Sequence, residues 1–446
     1  MTERSRVSDS LKGDAAAESL TGHGLFRTFM GLVGRHRQEA LMTELSSTAW
    51  PWPDLPPGPL GTASPDLARR LAEASTEPVT MPSGDRVPMI VRYEDVRAVL
   101  TSPASSRNLR APGLPRMVSG TSLEDDPSAL INQDPPEHTR YRRIMQGTFT
   151  PRHIERWRPR AAAIAHELID AAGQEFDLVT DFALPLPARV ICEMLGVPMD
   201  RFGQFRGWTE MFLSTSEASA EARGEGFAAF MAYAGELIAE HRVTPGDDLI
   251  DLLIGARDEG DRLSESELTH MVFTLIMAGH ETTASIIIRG AFRLLCHPDQ
   301  YAQLAARPEL LGPAVEEILR CEGPGGNGLL RLVTEDIELS GGVIPKGTVV
   351  LPNPTGANHD PSVFDDPLRF DIRRFAGKAP PNPHLAFGHG PHYCLGANLA
   401  RMELQEAFRA LVTRLPSLRP QEDLSTLRWT NDGLIHRPHR LPVKGG

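Results

Sequence analysis

Cys394 closes a glycine-punctuated stretch, Phe387-Gly388-His389-Gly390-Pro391-His392-Tyr393-Cys394-Leu395-Gly396, just ahead of a helical pattern from Leu395 to Leu415. Gly388 and Gly390 allow backbone angles and close approaches that side chains block. The first free N–H groups of a helix point at such a cysteine, and the helix dipole there favours a thiolate, the form that ligates metals. Taken alone, the residue also fits a buried structural cysteine. A second group, Ala278-Gly279-His280-Glu281-Thr282-Thr283, lies inside a long apolar run. Burying an acid and a hydroxyl costs free energy unless they are paired, so these residues need a reason to be there. A zinc hydrolase would need His-Glu-x-x-His, and the position four after His280 is Ala284, which excludes that chemistry. The structural alternative has Thr282 bonding back to the carbonyl of Ala278. Two charged pairs, His138 with Arg142 and Glu317 with Arg320, stand at helical spacing and by themselves read as ordinary surface pairs.

The pattern Phe387-x-x-Gly390-x-His392-x-Cys394-x-Gly396 resembles the haem-ligand signature of the cytochrome P450 family, soluble bacterial type. A thiolate in a loop that lets a flat group approach suits the axial position on haem iron. The resemblance implies haem b with Cys394 as its axial ligand, and Phe387, Gly388 and Gly396 in the loop that cradles it. It implies that His138, Arg142, Arg331 and His392 hold the propionates. It also implies that Ala278 and Gly279 leave room for dioxygen, and that Glu281 and Thr282 deliver protons so that O–O cleavage outcompetes peroxide release. Glu317-x-x-Arg320, 77 residues before Cys394, matches the family's structural brace, with Arg374 as third partner and the adjacent Arg373 as the other choice. His359 stands where the family usually has arginine. Pro324-Gly-Gly-Asn-Gly328 departs from the usual Pro-Val and is expected to loosen the pocket.

These residues need elements to hold them. Ser264-x-x-Glu267 is a capping box, and no proline follows until Pro298. That allows about 30 helical residues, roughly 45 Å, enough to cross a whole domain. Met271–Gly279 is apolar nearly all round and is expected to be buried on every side. Helices are expected at Ser64–Ala74, Tyr93–Leu100, from about Asp134 to Arg143, over His153–Ala172 and from Asp247. Short strands are expected at Pro78–Thr80, Arg86–Val91, Arg331–Thr334, Ile337–Leu339 and Val349–Leu351, the last three forming a small sheet of their own. The fold class is mainly α with a smaller β-rich part, the haem lying between the long central helix and the cysteine loop. Ser102–Gln133 and Gly203–Phe230 are the expected substrate-facing loop and access lid.

The 446 residues carry 41% hydrophobic side chains, enough for a large core, and a formal charge of −12, which argues against nucleic-acid binding. Four widely spaced cysteines with no CxxC pair suit a reducing cytoplasm. Residues 1–50 are read as a partly disordered extension, with Leu25 to Val33 at helical spacing, and 51–446 as a single catalytic domain. No signal peptide and no membrane span are expected. The expected function is insertion of one oxygen atom from dioxygen into a small, mostly apolar molecule in secondary metabolism. Oxidative coupling or rearrangement is the enzymatic alternative, and a non-catalytic haem sensor the other. With 52 residues after Cys394, a fused reductase is not expected. Electrons are expected from a ferredoxin and an NAD(P)H-dependent ferredoxin reductase, acting on a cytoplasmic monomer.

Overall fold

The helix Glu265–Cys296 runs 32 residues, about 48 Å at 1.5 Å per residue. Its start is the expected capping box. The Ser264 hydroxyl accepts from the Glu267 N–H at 3.2 Å, and the Glu267 carboxylate accepts from the Ser264 N–H at 2.7 Å. It stops at His297, whose backbone leaves the helical region just before Pro298. By length and hydropathy the helix could cross a membrane, but 78% of its most apolar window is buried within the protein. It is therefore a core helix. Gly290 sets how closely its neighbours approach, because a Cβ there would stand 2.7 Å from both Ile318 and Phe408. Those two side chains come from the helices Leu311–Cys321 and Ala397–Arg414, which cross it from the cysteine side.

This computed structural model describes residues 65–120, 122–213, 220–258, 263–323, 328–377, 383–430 and 433–445. The readings made for residues 1–64, for the stretch 324–327 and for part of the lid lie outside those residues. Helices surround the central one, among them Pro185–Leu195, Phe202–Leu213 and Ala220–Val243. One large core cluster joins the central helix to the segments on either side of Cys394.

The expected helix His153–Ala172 is two helices, Pro151–Glu155 and Arg158–Ala172. Pro159 explains the break: it sits in the first turn of the second helix, where its missing N–H costs nothing. The strands expected to form their own small sheet do so only in part. Ile337–Leu339 pairs with Gly342–Ile344, whereas Arg331–Val333 and Val349–Pro352 join a five-stranded sheet with N-terminal strands. Its order is 78–80, 86–90, 349–352, 331–333, 105–106. The parallel register Met89↔Leu351 and the antiparallel register Arg331↔Val350 fix where Arg331 emerges.

A candidate haem-thiolate site

The cysteine loop is held by its own backbone. The Cys394 N–H donates to the Phe387 carbonyl at 2.9 Å, and the Gly388 N–H to that of Leu385 at 2.9 Å. Gly388 and Gly390 both have φ of +71°, a conformation that disfavours side chains. At Gly390 a Cβ would also lie 2.6 Å from the Leu100 carbonyl oxygen, so this glycine lets the loop seat on the helix Tyr93–Thr101. Gly396 has an ordinary φ of −82° at the N-terminus of the following helix, and a Cβ there would meet no protein atom. The Phe387 ring is buried beneath the Arg401 guanidinium, 4.5 Å from its centroid.

Cys394 is accessible to solvent. Burial pushes its thiol up, while the Gly396 N–H, Arg142 and Arg401 pull the other way. The helix terminus alone therefore does not yield the thiolate expected from the sequence. Coordination to a metal removes the proton outright.

Four cationic or titratable side chains gather beside this loop. His138 and Arg142 rise from the helix Glu137–Gln146, which is tied to the central helix where the Tyr141 hydroxyl donates to Glu267 at 2.6 Å. Arg331 comes from its sheet strand, and the rings of His138 and His392 lie 4.2 Å apart. Among the described residues, no carboxylate lies within ion-pair distance of Arg142 or Arg331. The one hydrogen bond from the buried Arg331 side chain is a long 3.4 Å contact to the Leu330 carbonyl. Burial and then repulsion from Arg107 depress Arg331, and burial with Arg331, His138, Arg107 and Arg142 pushes His392 down to about 2. Desolvated cations without a counter-charge are costly, so this cluster suits an anionic group such as a pair of propionates. Arg107 was not singled out from the sequence. It is fully buried and donates to Ile131 O at 3.1 Å, to Asn132 at 3.2 Å and to Leu330 O. No local signal marks it within the Ser102–Gln133 loop.

On the central helix, Ala278 is exposed and Gly279 and Thr282 partly so, between the buried Met277, His280, Glu281 and Thr283. The expectation that Met271–Gly279 is buried on every side therefore fails at Ala278. Residues 278, 279 and 282 share one helical face, which forms a small-residue window. Gly279 also meets a packing need. A Cβ on it would lie 2.8 Å from Ile191, so its missing side chain admits the helix Pro185–Leu195. The Thr282 hydroxyl donates to the Ala278 carbonyl at 2.9 Å. Glu281 turns away into a buried ion pair, its Oε1 accepting from Arg437 Nε at 2.9 Å, while Oε2 is buried without a protein partner.

Glu317 and Arg320 are not a surface pair. Both are fully buried, Arg320 Nε donates to Glu317 at 2.8 Å, and Arg374 Nε reaches the same carboxylate at 3.1 Å. Arg373 instead pairs with Asp371 at the surface. Arg320 also donates to the carbonyls of Asn358 and Pro367, which pins the chain leading to the cysteine loop. His359 is buried, its Nδ1 2.8 Å from the Thr355 carbonyl, and burial and then Arg320 push it down to about 4. It is a neutral packing residue here.

The comparisons with known proteins agree with this geometry. The family described as Cytochrome P450 matches residues 190–439. The mycinamicin IV hydroxylase/epoxidase of Micromonospora griseorubida is 44% identical over 385 residues, covering 84% of this chain and 95% of that protein. The cytochrome P450 monooxygenase PikC of Streptomyces venezuelae is 39% identical over 412 residues, covering 90% and 96%. The crystal structure of HinD with NMFT and NO superposes with a TM-score of 0.80 at 36% identity, covering 86% and 96%. The LnmA cytochrome P450 hydroxylase from the leinamycin pathway of Streptomyces atroolivaceus gives 0.76 at 39% identity, covering 86% and 97%. The chain belongs to the cytochrome P450 family. It is a haem-thiolate monooxygenase, using haem b to place one atom of dioxygen into a small organic molecule.

Proposed function

We propose that residues 51–446 form one catalytic domain in which Cys394 is the axial ligand and His138, Arg142, Arg331 and His392 hold the propionates. The observation that carries this reading is the gathering of Arg142 and Arg331, neither with a carboxylate in ion-pair distance among the described residues, with His138 and His392 beside an accessible cysteine. When bound, the haem supplies activation of dioxygen, and an electron-donating thiolate favours O–O cleavage. The chain's own residues do the rest. Phe387, Gly388 and Gly396 shape the loop around the ligand, and Glu317, Arg320 and Arg374 keep it in register. Ala278 and Gly279 keep the facing helix surface low. Thr282 holds a hydroxyl over that window by its bond to the Ala278 carbonyl. Glu281 supplies the acid that hands protons toward it, and the apolar wall around Met277 excludes bulk water.

The substrate is a mid-sized, mostly apolar secondary metabolite, a reading supported by the named activities of the relatives and by the apolar helix faces lining the site. Electrons come from a ferredoxin and its NAD(P)H-dependent reductase in the cytoplasm. A depression of about 650 Å³ beside the cysteine loop, lined by Glu316, His389, Tyr393 and Arg401 among others, offers that partner a place to dock. The reduced, carbon monoxide-bound protein is expected to show the red-shifted Soret band of thiolate ligation, and Cys394→Ser to lose it. Retention of that band in Cys394→Ser refutes the assignment. A screen for compounds that shift the haem from low to high spin identifies the substrate class.

A further inference from the structure

Among the described residues several buried glutamates meet arginines, and the pairing of Glu281 differs from those of Glu317 and Glu322. Glu317 uses both carboxylate oxygens: Oε1 accepts from Arg320 and Arg374 and Oε2 from Arg320. Glu322 does likewise, with Oε1 accepting from Arg293 at 2.7 Å and Oε2 from Arg289 at 2.9 Å. Both pairs are saturated, as a buried brace must be. Glu281 takes one bond from Arg437 at Oε1 and leaves Oε2 buried with no protein partner. One turn further along the same helix face, the Ser285 hydroxyl is also buried without a protein partner. Residues four apart on a helix have Cβ atoms about 5–6 Å apart, a span that one ordered water bridges.

Arg437 is fixed independently of Glu281. It lies on a C-terminal hairpin closed by the Thr430 N–H donating to the Arg437 carbonyl at 2.8 Å and the Arg437 N–H to the Thr430 hydroxyl at 3.1 Å. The neighbouring Trp429 packs edge-on against Phe292 of the central helix, ring centroids 5.2 Å apart. Arg289 adds a long bond of 3.4 Å to the His436 carbonyl. The guanidinium is therefore presented to Glu281 by a hairpin docked along the helix that carries the acid.

We infer that Arg437 is a positioning residue for proton delivery: it clamps Oε1 of Glu281 so that Oε2, with a water shared with Ser285, is the oxygen that exchanges protons with the site. The inference rests on the reading of Glu281 as the proton-delivering acid. No bond other than O–H is made or broken, since the water gives a proton to Oε2 and Oε2 returns one to the chain of donors.

The test reduces the haem-loaded protein with a plant-type ferredoxin and its NADPH-dependent reductase, without organic substrate, and measures dioxygen consumed against peroxide released. Glu281→Gln is expected to raise the peroxide fraction severalfold. Arg437→Gln, which keeps a donor for Oε1 but loses its fixed fork, is expected to raise it about half as far, and Arg437→Lys to restore most of the loss. The Glu281→Gln/Arg437→Gln double variant is expected to match Glu281→Gln alone, because Arg437 acts through Glu281. Crystallography gives a readout independent of turnover: one Glu281 rotamer in the wild type and several in Arg437→Gln. If Glu281→Gln uncouples while both Arg437 variants stay coupled, or if the two losses add, the positioning role is overturned and the reading of Glu281 stands. If Glu281→Gln stays fully coupled, the proton-delivery reading falls and the inference with it.

Discussion

Replacing Arg331 by Met is expected to act with opposite sign on the haem-free and haem-loaded protein. The side chain is buried, Arg107 repels it while Asp134 attracts it, and among the described residues its one hydrogen bond is the 3.4 Å contact to Leu330 O. In the haem-free chain this is a desolvated cation beside the like charge of Arg107, with no carboxylate within ion-pair distance among the described residues. Methionine fills similar volume without charge, and replacing buried ionic groups by packed apolar ones stabilises by about 1–4 kcal/mol. With haem bound, the same change strips a propionate of its partner, and breaking a buried pair costs about 3–5 kcal/mol. At about 1.4 kcal/mol per decade, haem affinity should fall roughly 100- to 1,000-fold or more. Urea unfolding of the haem-free protein measures the first effect, and the rate of haem loss to an excess of a haem-scavenging globin measures the second. If Arg331→Met destabilises the haem-free protein while haem loss is unchanged, Arg331 is a scaffold residue and the propionate assignment is wrong.

Glu317→Gln leaves the fully buried Arg320 and the largely buried Arg374 without their carboxylate, and should cost about 3–5 kcal/mol of stability by denaturant unfolding, far above the value for a surface pair. Gly279→Ala drives a methyl group to within 2.8 Å of Ile191 and should destabilise by about 1–3 kcal/mol; Ile191→Ala in the same chain should recover part of that, and its failure to do so would exclude the packing role. Thr282→Ala should raise peroxide released per NAD(P)H severalfold while leaving the carbon monoxide spectrum of the reduced protein unchanged. His241 gives a pH signature. Burial lowers its pKa, but the Leu237 carbonyl at 2.8 Å and Asp248 at 2.9 Å outweigh that and raise it overall. A raised folded pKa stabilises fully below the unfolded value of about 6.5 and is lost as pH climbs through the folded value. The melting temperature of the wild type relative to His241→Phe should accordingly fall between pH 6 and 9, and a constant difference would exclude the ion pair.

The parts legible in the sequence are those written locally. The capping box at Ser264 and the proline at 298 bound the central helix, and the glycines around Cys394 spell the loop. What the sequence hides is set by partners far along the chain. Arg437 reaches Glu281 across 156 residues, and nothing near either residue announces it. The strands at Arg331–Val333 and Val349–Pro352 pair with each other as a local sheet would, yet their outer neighbours are Ser105–Ser106 and Arg86–Ile90, far back in the chain. Glu317 and Arg320 have the spacing of a surface pair, and only the packing of Pro367 and Arg374 over them makes them a buried brace. The closeness of Gly279 to Ile191, a residue on another helix, is likewise not written near it in the chain.

Buried polar atoms without partners do not all carry the same weight. Glu403, on the helix that follows Cys394, is fully buried and neither carboxylate oxygen makes a hydrogen bond of good geometry. Burial pushes its carboxyl well above the ordinary range, against a weaker pull from the Thr283 hydroxyl, which favours the neutral form. A neutral acid loses far less on burial than a charged one, and its incomplete bonding is tolerable. Glu281 differs because a guanidinium is aimed at it. Its Oε1 takes the Arg437 hydrogen bond while Oε2 is buried with no protein partner, an arrangement that is costly unless a water completes it. On the cysteine side, Glu317 and Glu322 avoid that cost by saturating both oxygens. The protein thus completes its ion pairs where it needs rigidity and leaves one incomplete on the helix that bears the Ala278 window. That asymmetry, rather than burial or charge alone, sets Glu281 apart from the acids that hold the fold.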